Sequence, residues 1–141
     1  MIYKKSCGFV AYKEIENERL YLIVRTSNGE YGFPKGHVEN NETEHETAIR
    51  ELKEETNIEV QMINGFRRQI EYEFPNRPDV MKISVYFLGK YINNEIVCQE
   101  SEVLEARFVP METALELLSF EETRNILREA DTYIESMNSA E

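Results

Sequence analysis

Two runs rich in β-branched and aromatic residues, Tyr3–Lys13 and Arg19–Arg25, flank the polar stretch EIENE, and this pattern predicts a β-hairpin. TSNGEYG follows and reads as a loop from its Asn-Gly and Gly content. A helix is predicted from about Asn41 to Thr56, with Asn41 and Glu44 as its capping box. Ile58–Ile63, Phe66–Phe74, Met81–Ile92 and Ala106–Val109 return to strand character, and the Pro-punctuated FPNRPDV is expected to loop between two of them. Beyond Met111 the period becomes helical: Leu115, Leu117 and Leu118, then Ile126, Leu127, Ala130, Tyr133 and Ile134. Strands enclosing an interior helix and followed by C-terminal helices predict a mixed sheet covered by helices, an α/β (α+β) class. No repeat, low-complexity tract or Gly/Ser linker divides the chain, so residues 1–141 are expected to form a single domain.

Hydrophobic content of 41% suits a soluble globular protein. The formal charge of −11 argues against a general nucleic-acid or anionic-membrane binder, because those surfaces repel a polyanion. A small phosphorylated partner stays compatible with that charge if local basic residues and divalent cations offset it within one cleft. No apolar run approaches the length of a bilayer span, and MIYKKSCGFVAYK lacks a signal-peptide apolar stretch, so a cytoplasmic location without membrane partners is expected. Cys7 and Cys98 have no zinc-like spacing and are expected to be buried free thiols. Monomer and dimer both stay open.

The predicted helix is unusual in its acidity. At about 100° per residue, Ala48, Ile49 and Leu52 share a sector expected to face the core. Glu51, Glu54 and Glu55 converge in a neighbouring sector at i, i+3 and i+4. Like charges so placed destabilise a helix in water, but carboxylate oxygens are the ligands that hard cations such as Mg²⁺ or Mn²⁺ take. Arg50 lies elsewhere on the wheel and is suited to brace a carboxylate. Charge alone fits an ordinary exposed glutamate-rich face; the wider spacing points further.

Gly36, Glu42, Arg50-Glu51-Leu52, Glu54-Glu55 and Ile58 form a long discontinuous pattern. It resembles the Nudix box, Gly-x5-Glu-x7-Arg-Glu-U-x-Glu-Glu-x-Gly-U, where U is a bulky aliphatic residue. The one departure is Asn57 in place of the second glycine, and asparagine is the next-best residue in left-handed backbone. The resemblance implies an α/β/α sandwich around a mixed sheet, with the box as loop–helix–loop. It also implies metal-dependent hydrolysis of a nucleoside diphosphate linked to another moiety, by water activated at a phosphorus. On that basis Glu51 and Glu55 are the main metal ligands, Glu54 shares that duty or holds a water, and the Gly36 carbonyl is a further ligand. Arg50 is a catalytic-box residue. The general base is either a box glutamate such as Glu54 or a distant carboxylate in QESEVLEARFVP, where the resemblance favours Glu102 over Glu100 and Glu105.

The flanking segments GFPKGHVE, GFRRQIEYEF, NRPDVMKISVYFLG and SFEE resemble the asymmetric diadenosine tetraphosphate hydrolases of that family over about residues 6–135. This likeness implies a small-molecule nucleotide substrate split into ATP and AMP. It implies that Lys35, His37 and Lys82 contact phosphates, and that Tyr72 and Phe120 close on a base. Arg67, Arg68 and Arg77 would add positive charge nearby. As residue types, Tyr72 and Phe120 also suit a core, and Lys82 a solvent-facing strand position. His45 falls on the apolar side of the helix and is expected to pack. Tyr31 stands where that group often has tryptophan, a residue missing from this chain. Alternative readings are a Nudix hydrolase of another nucleoside polyphosphate, an RNA 5′ end or an inositol pyrophosphate, and a non-catalytic nucleotide-sensing domain.

Overall fold

The computed structural model describes residues 1–99 and 101–139. The chain runs β1 (Ile2–Ile15), β2 (Glu18–Thr26), β3 (Tyr31–Gly32), β4 (Lys35–His37), α1 (Glu44–Thr56), β5 (Glu59–Phe74), β6 (Arg77–Asn93), β7 (Val103–Pro110), α2 (Met111–Leu117) and α3 (Glu121–Ser139). Strand order is β3-β2-β1-β6-β5, with β4 also on β1 and β7 also on β2. β1 and β6 run parallel from Ile2↔Val80 to Tyr12↔Lys90, while the other pairs are antiparallel. The sheet is therefore mixed, as expected.

Alternation along the central strands builds two cores. Cys7, Phe9 and Ala11 of β1 and Val85 and Phe87 of β6 meet Ala48 and Leu52 of α1 on one face. Val10, Tyr12, Tyr86 and Leu88 meet Ala114, Leu118, Ile126, Leu127, Ala130 and Ile134 of α2 and α3 on the other. With period 2, one strand feeds both layers. The α/β/α sandwich follows. Among the described residues no helix is long and apolar enough to cross a membrane.

Several local expectations are corrected. The α1 capping box is Thr43 with Glu46, through Glu46 N–H to Thr43 Oγ1 at 3.1 Å and Thr43 N–H to Glu46 Oε1 at 2.8 Å. Asn41 sits instead in a left-handed turn (φ 60), and Glu44 is drawn away to Lys5 and Arg67. Ile49 is 54% exposed, because the sheet contacts only the narrow Ala48–Leu52 stripe. His45 is exposed too, yet its ring rests 4.2 Å from that of Phe87. FPNRPDV is mostly strand: only Pro75 and Asn76 form the turn, and Pro78 is tolerated because β1 reaches β6 only at Val80. The two strands expected over 58–74 are one bent strand. Gly65 (φ 91) makes the bend, and a side chain there would run into the hydroxyl of Tyr133, which donates to the Asn64 carbonyl at 2.6 Å. Cys7 is buried and Cys98 half-buried, both free thiols.

Asn57 closes α1 in left-handed conformation (φ 68), and its side chain donates to the Glu95 carbonyl at 3.0 Å. Glycine could supply the first feature but not the second. Asn57→Ala should lower the unfolding free energy by about 1–2 kcal/mol and Asn57→Gly by less, measured by urea denaturation.

Candidate active site

Burying one face of α1 turns its neighbouring acidic sector inward at the edge of the sheet. Glu51 and Glu55 are 8% and 6% exposed. The loop ahead of β7 brings Glu102 to them, held by Ser27 N–H donating to the Glu102 carbonyl at 3.0 Å. One carboxylate oxygen from each of Glu51, Glu55 and Glu102 then lies within 4.8 Å of the others. β4 closes the fourth side. At Gly36 any Cβ would occupy the space of the Glu51 carboxylate, so only glycine lets the strand backbone lie against it. Lys35 N–H donates to Glu55 Oε2 at 3.0 Å.

Glu54, one turn away on the exposed flank, is outside this grouping and pairs with Arg50 at 3.1 Å. Arg50 braces the whole loop–helix. Its guanidinium donates to Glu42 at 2.7 and 3.0 Å, to Glu51 at 2.7 Å and to the His37 carbonyl at 2.9 Å. Glu42 also accepts from Thr47 Oγ1 at 2.9 Å and Glu39 N–H at 3.0 Å, and Arg50 holds its carboxyl down at about 2. Glu105 is paired with Arg107 at 2.7 Å, and Glu100 lies outside the described residues.

Burial, the Glu51 charge and the Glu102 charge push Glu55 up to about 8, against the lowering pull of the Lys35 N–H. Burial also raises Glu51, although Arg50 opposes it. A pocket of carboxylates that cannot all ionise comfortably is matched to a multivalent cation. The all-oxygen donor set suits hard ions, and the Gly36 backbone is close enough to join it.

A basic and aromatic surface adjoins this cluster. Lys35 Nζ donates to Ser84 Oγ at 3.0 Å and to Tyr72 OH at 3.3 Å. Lys82 Nζ stands 5.7 Å from the Tyr72 ring. Burial lowers the Lys35 amine, reinforced by Lys82 and opposed by Tyr72. Burial would raise the Tyr72 hydroxyl, but Lys35, Ser84 and Lys82 together bring it below its ordinary value. His37 is exposed at the end of β4; burial, Lys82, Lys4 and Lys35 depress its protonation while Glu102 favours it.

Lys35, Lys82 and Tyr72 thus meet on one surface. Tyr72 is 38% exposed, consistent with an available ring face. Phe120, 47% exposed, sits at the start of α3 and is tied to β3 through Tyr31 N–H to Ser119 Oγ at 2.9 Å. Arg67, Arg68 and Arg77 do not join the basic surface: they pair with Glu44, Glu129 and Asp79. Sequence reading missed Lys4 and Ser84. Their polar character at even-numbered positions of β1 and β6 was the available signal.

Comparison with known proteins decides the family. The NUDIX domain profile matches residues 8–130. This chain belongs to the Nudix family. It is a Nudix hydrolase, an enzyme acting on phosphoric anhydrides, and enzymes of this family generally use divalent metal ions. It is 30% identical to the asymmetrical bis(5′-nucleosyl)-tetraphosphatase of Mus musculus, over 92% of this chain and 95% of that one. The enzyme of the same name from Rattus norvegicus is 29% identical with the same coverage. The crystal structure of a Caenorhabditis elegans Ap4A hydrolase binary complex superposes with a TM-score of 0.86 at 25% identity, covering 94% of this Nudix chain and 98% of the nematode chain.

The raised Glu55 carboxyl makes metal-free stability pH-dependent. Folding binds a proton between the ordinary glutamate range and about 8, so this contribution is intact below about 4.5 and lost as pH rises through about 8. In EDTA, Tm should fall from pH 5 to pH 8 more steeply than in Glu55→Gln. Mg²⁺ should recover the loss in the parent protein, as read by differential scanning calorimetry.

Proposed function

We propose that this chain is an asymmetric dinucleoside tetraphosphate hydrolase that splits diadenosine tetraphosphate into ATP and AMP with Mg²⁺ (or Mn²⁺), residues 1–141 acting as one domain. The observation that carries the reading is the Glu51–Glu55–Glu102 cluster set beside the Lys35–Lys82–Tyr72 surface. The named relatives, matched over nearly their full length, support the substrate.

Glu51, Glu55 and the Gly36 carbonyl would hold the divalent cation, with the Glu102 carboxylate beside it. Bound there, it supplies positive charge against the phosphates and acidifies water. Lys35, Lys82 and His37 line the phosphate chain, and charge-assisted hydrogen bonds from the lysines fix its path. Tyr72 offers a ring to one adenine, and Phe120 covers that base from the α2–α3 junction. Hydrolysis forms one bond from water oxygen to phosphorus and breaks one bridging P–O bond. The departing phosphate oxygen takes the electron pair, and the water proton passes to a carboxylate. Glu102 suits that role, since among the described residues its carboxylate accepts no side-chain hydrogen bond, whereas Glu54 is held by Arg50. Glu54 would stay close enough to the cluster to steady a water. Arg50 acts as a positioning residue, keeping Glu51 directed inward through its bonds to Glu42 and the His37 carbonyl.

Incubation of diadenosine tetraphosphate with enzyme and Mg²⁺ should yield equal ATP and AMP by anion-exchange chromatography; two ADP, or no cleavage, would reject the substrate assignment. Glu102→Gln should lower kcat by about 10²- to 10⁴-fold with Tm little changed. Near-normal turnover would remove Glu102 from the chemistry.

A further inference from the structure

We infer that Lys4 is a further substrate-positioning residue, holding the far end of the polyphosphate and directing the second nucleoside into the hollow beside it. The inference rests on the dinucleotide reading above and extends it to an unassigned part of the surface.

The register places Lys4. It pairs with Lys82 across the parallel β1–β6 ladder, and Lys82 pairs with Tyr72 across β6–β5. Residues directly opposite in neighbouring strands project to the same face, about 4.8 Å apart per strand. Lys4, Lys82 and Tyr72 therefore form one row on the sheet face that carries Lys35 and Ser84. Two residues along β1, Ser6 pairs with His37 of β4, which puts the imidazole on this face too. The row ends in a hollow of about 550 Å³ lined by Tyr3, Lys4, Lys5, His37 and Val38. His37 lines both the hollow and the phosphate surface, so the two are continuous.

Charge separates Lys4 from its neighbours. Among the described residues, Lys4, Lys35 and Lys82 form no ion pair, whereas Lys5 is bound to Glu44 at 2.6 Å. Arg50, Arg67, Arg68 and Arg77 are paired as well. In a chain of net charge −11, three unpaired lysines on one face, continuous with a histidine, make a local anion track. Tyr72 and Lys35 account for one end of a dinucleoside polyphosphate. Lys4 lies at the opposite end of the row, beside the hollow. Tyr72 and Lys4 are two strand spacings apart, about 10 Å, so a phosphate chain starting at Tyr72 spans the row, and only a dinucleotide has a second nucleoside to place in the hollow beyond it.

The test is calorimetric binding, in Mg²⁺, of a nonhydrolysable diadenosine tetraphosphate and a nonhydrolysable ATP analogue to the parent protein, Lys4→Ala and Lys4→Arg. Lys4→Ala should weaken the dinucleotide by about tenfold and the ATP analogue by clearly less, with Lys4→Arg close to the parent. Equal affinities for the dinucleotide in parent and Lys4→Ala would overturn the inference. Equal weakening of both ligands, or no dinucleotide binding by the parent, would do so too. If the parent binds the dinucleotide with this Lys4 dependence yet does not cleave it to ATP and AMP, the hydrolase reading fails and the Lys4 site stands.

Discussion

The structure depends on holding carboxylates close together where water is scarce. Glu51 and Glu55 are buried and Glu102 is brought against them, an arrangement opposed by both desolvation and mutual repulsion. It persists because the surrounding groups are specific. Arg50 spans Glu42, Glu51 and Glu54, Lys35 donates a backbone N–H to Glu55, and Gly36 leaves room for the Glu51 carboxylate. Ala48 and Leu52, packed on β1 and β6, keep α1 from rotating away. The remaining discomfort appears as the raised Glu51 and Glu55 carboxyls, and a divalent cation would relieve it.

The other half of the site obeys the opposite rule. Most arginines of this acidic chain are paired with nearby carboxylates, which neutralises the perimeter. Lys35 and Lys82 instead both approach Tyr72, and burial together with Lys82 lowers the Lys35 amine. Cations held without carboxylate partners are available to an incoming anion without first breaking an ion pair. Net charge and local charge thus have opposite signs. An overall polyanion can present a phosphate-binding surface because the sheet register gathers a few lysines on one face.

Neighbour relations set by chain periodicity were legible in the residues alone. The central strands, the helix, the clustering of Glu51 with Glu55 and the left-handed Asn57 follow from repeats of 2 and 3.6 and from residue-level backbone preference. Gly36 and Arg50 were marked by their spacing to those glutamates. The capping residue was misplaced because Thr43 and Asn41 both fit locally, and only the pairing of Glu44 with Lys5 and Arg67 separates them.

Residues alone therefore determined the strands and the acidic helix, each encoded within a few turns or one strand, and the box spacing carried the resemblance to the family. Tertiary structure decided which charges meet. It brought Glu102 to the cluster and left Glu54 outside, gave Arg67 and Arg68 to Glu44 and Glu129, and set Lys4 beside Lys82. Long charged side chains choose partners by strand register and helix placement, and those are properties of the folded whole.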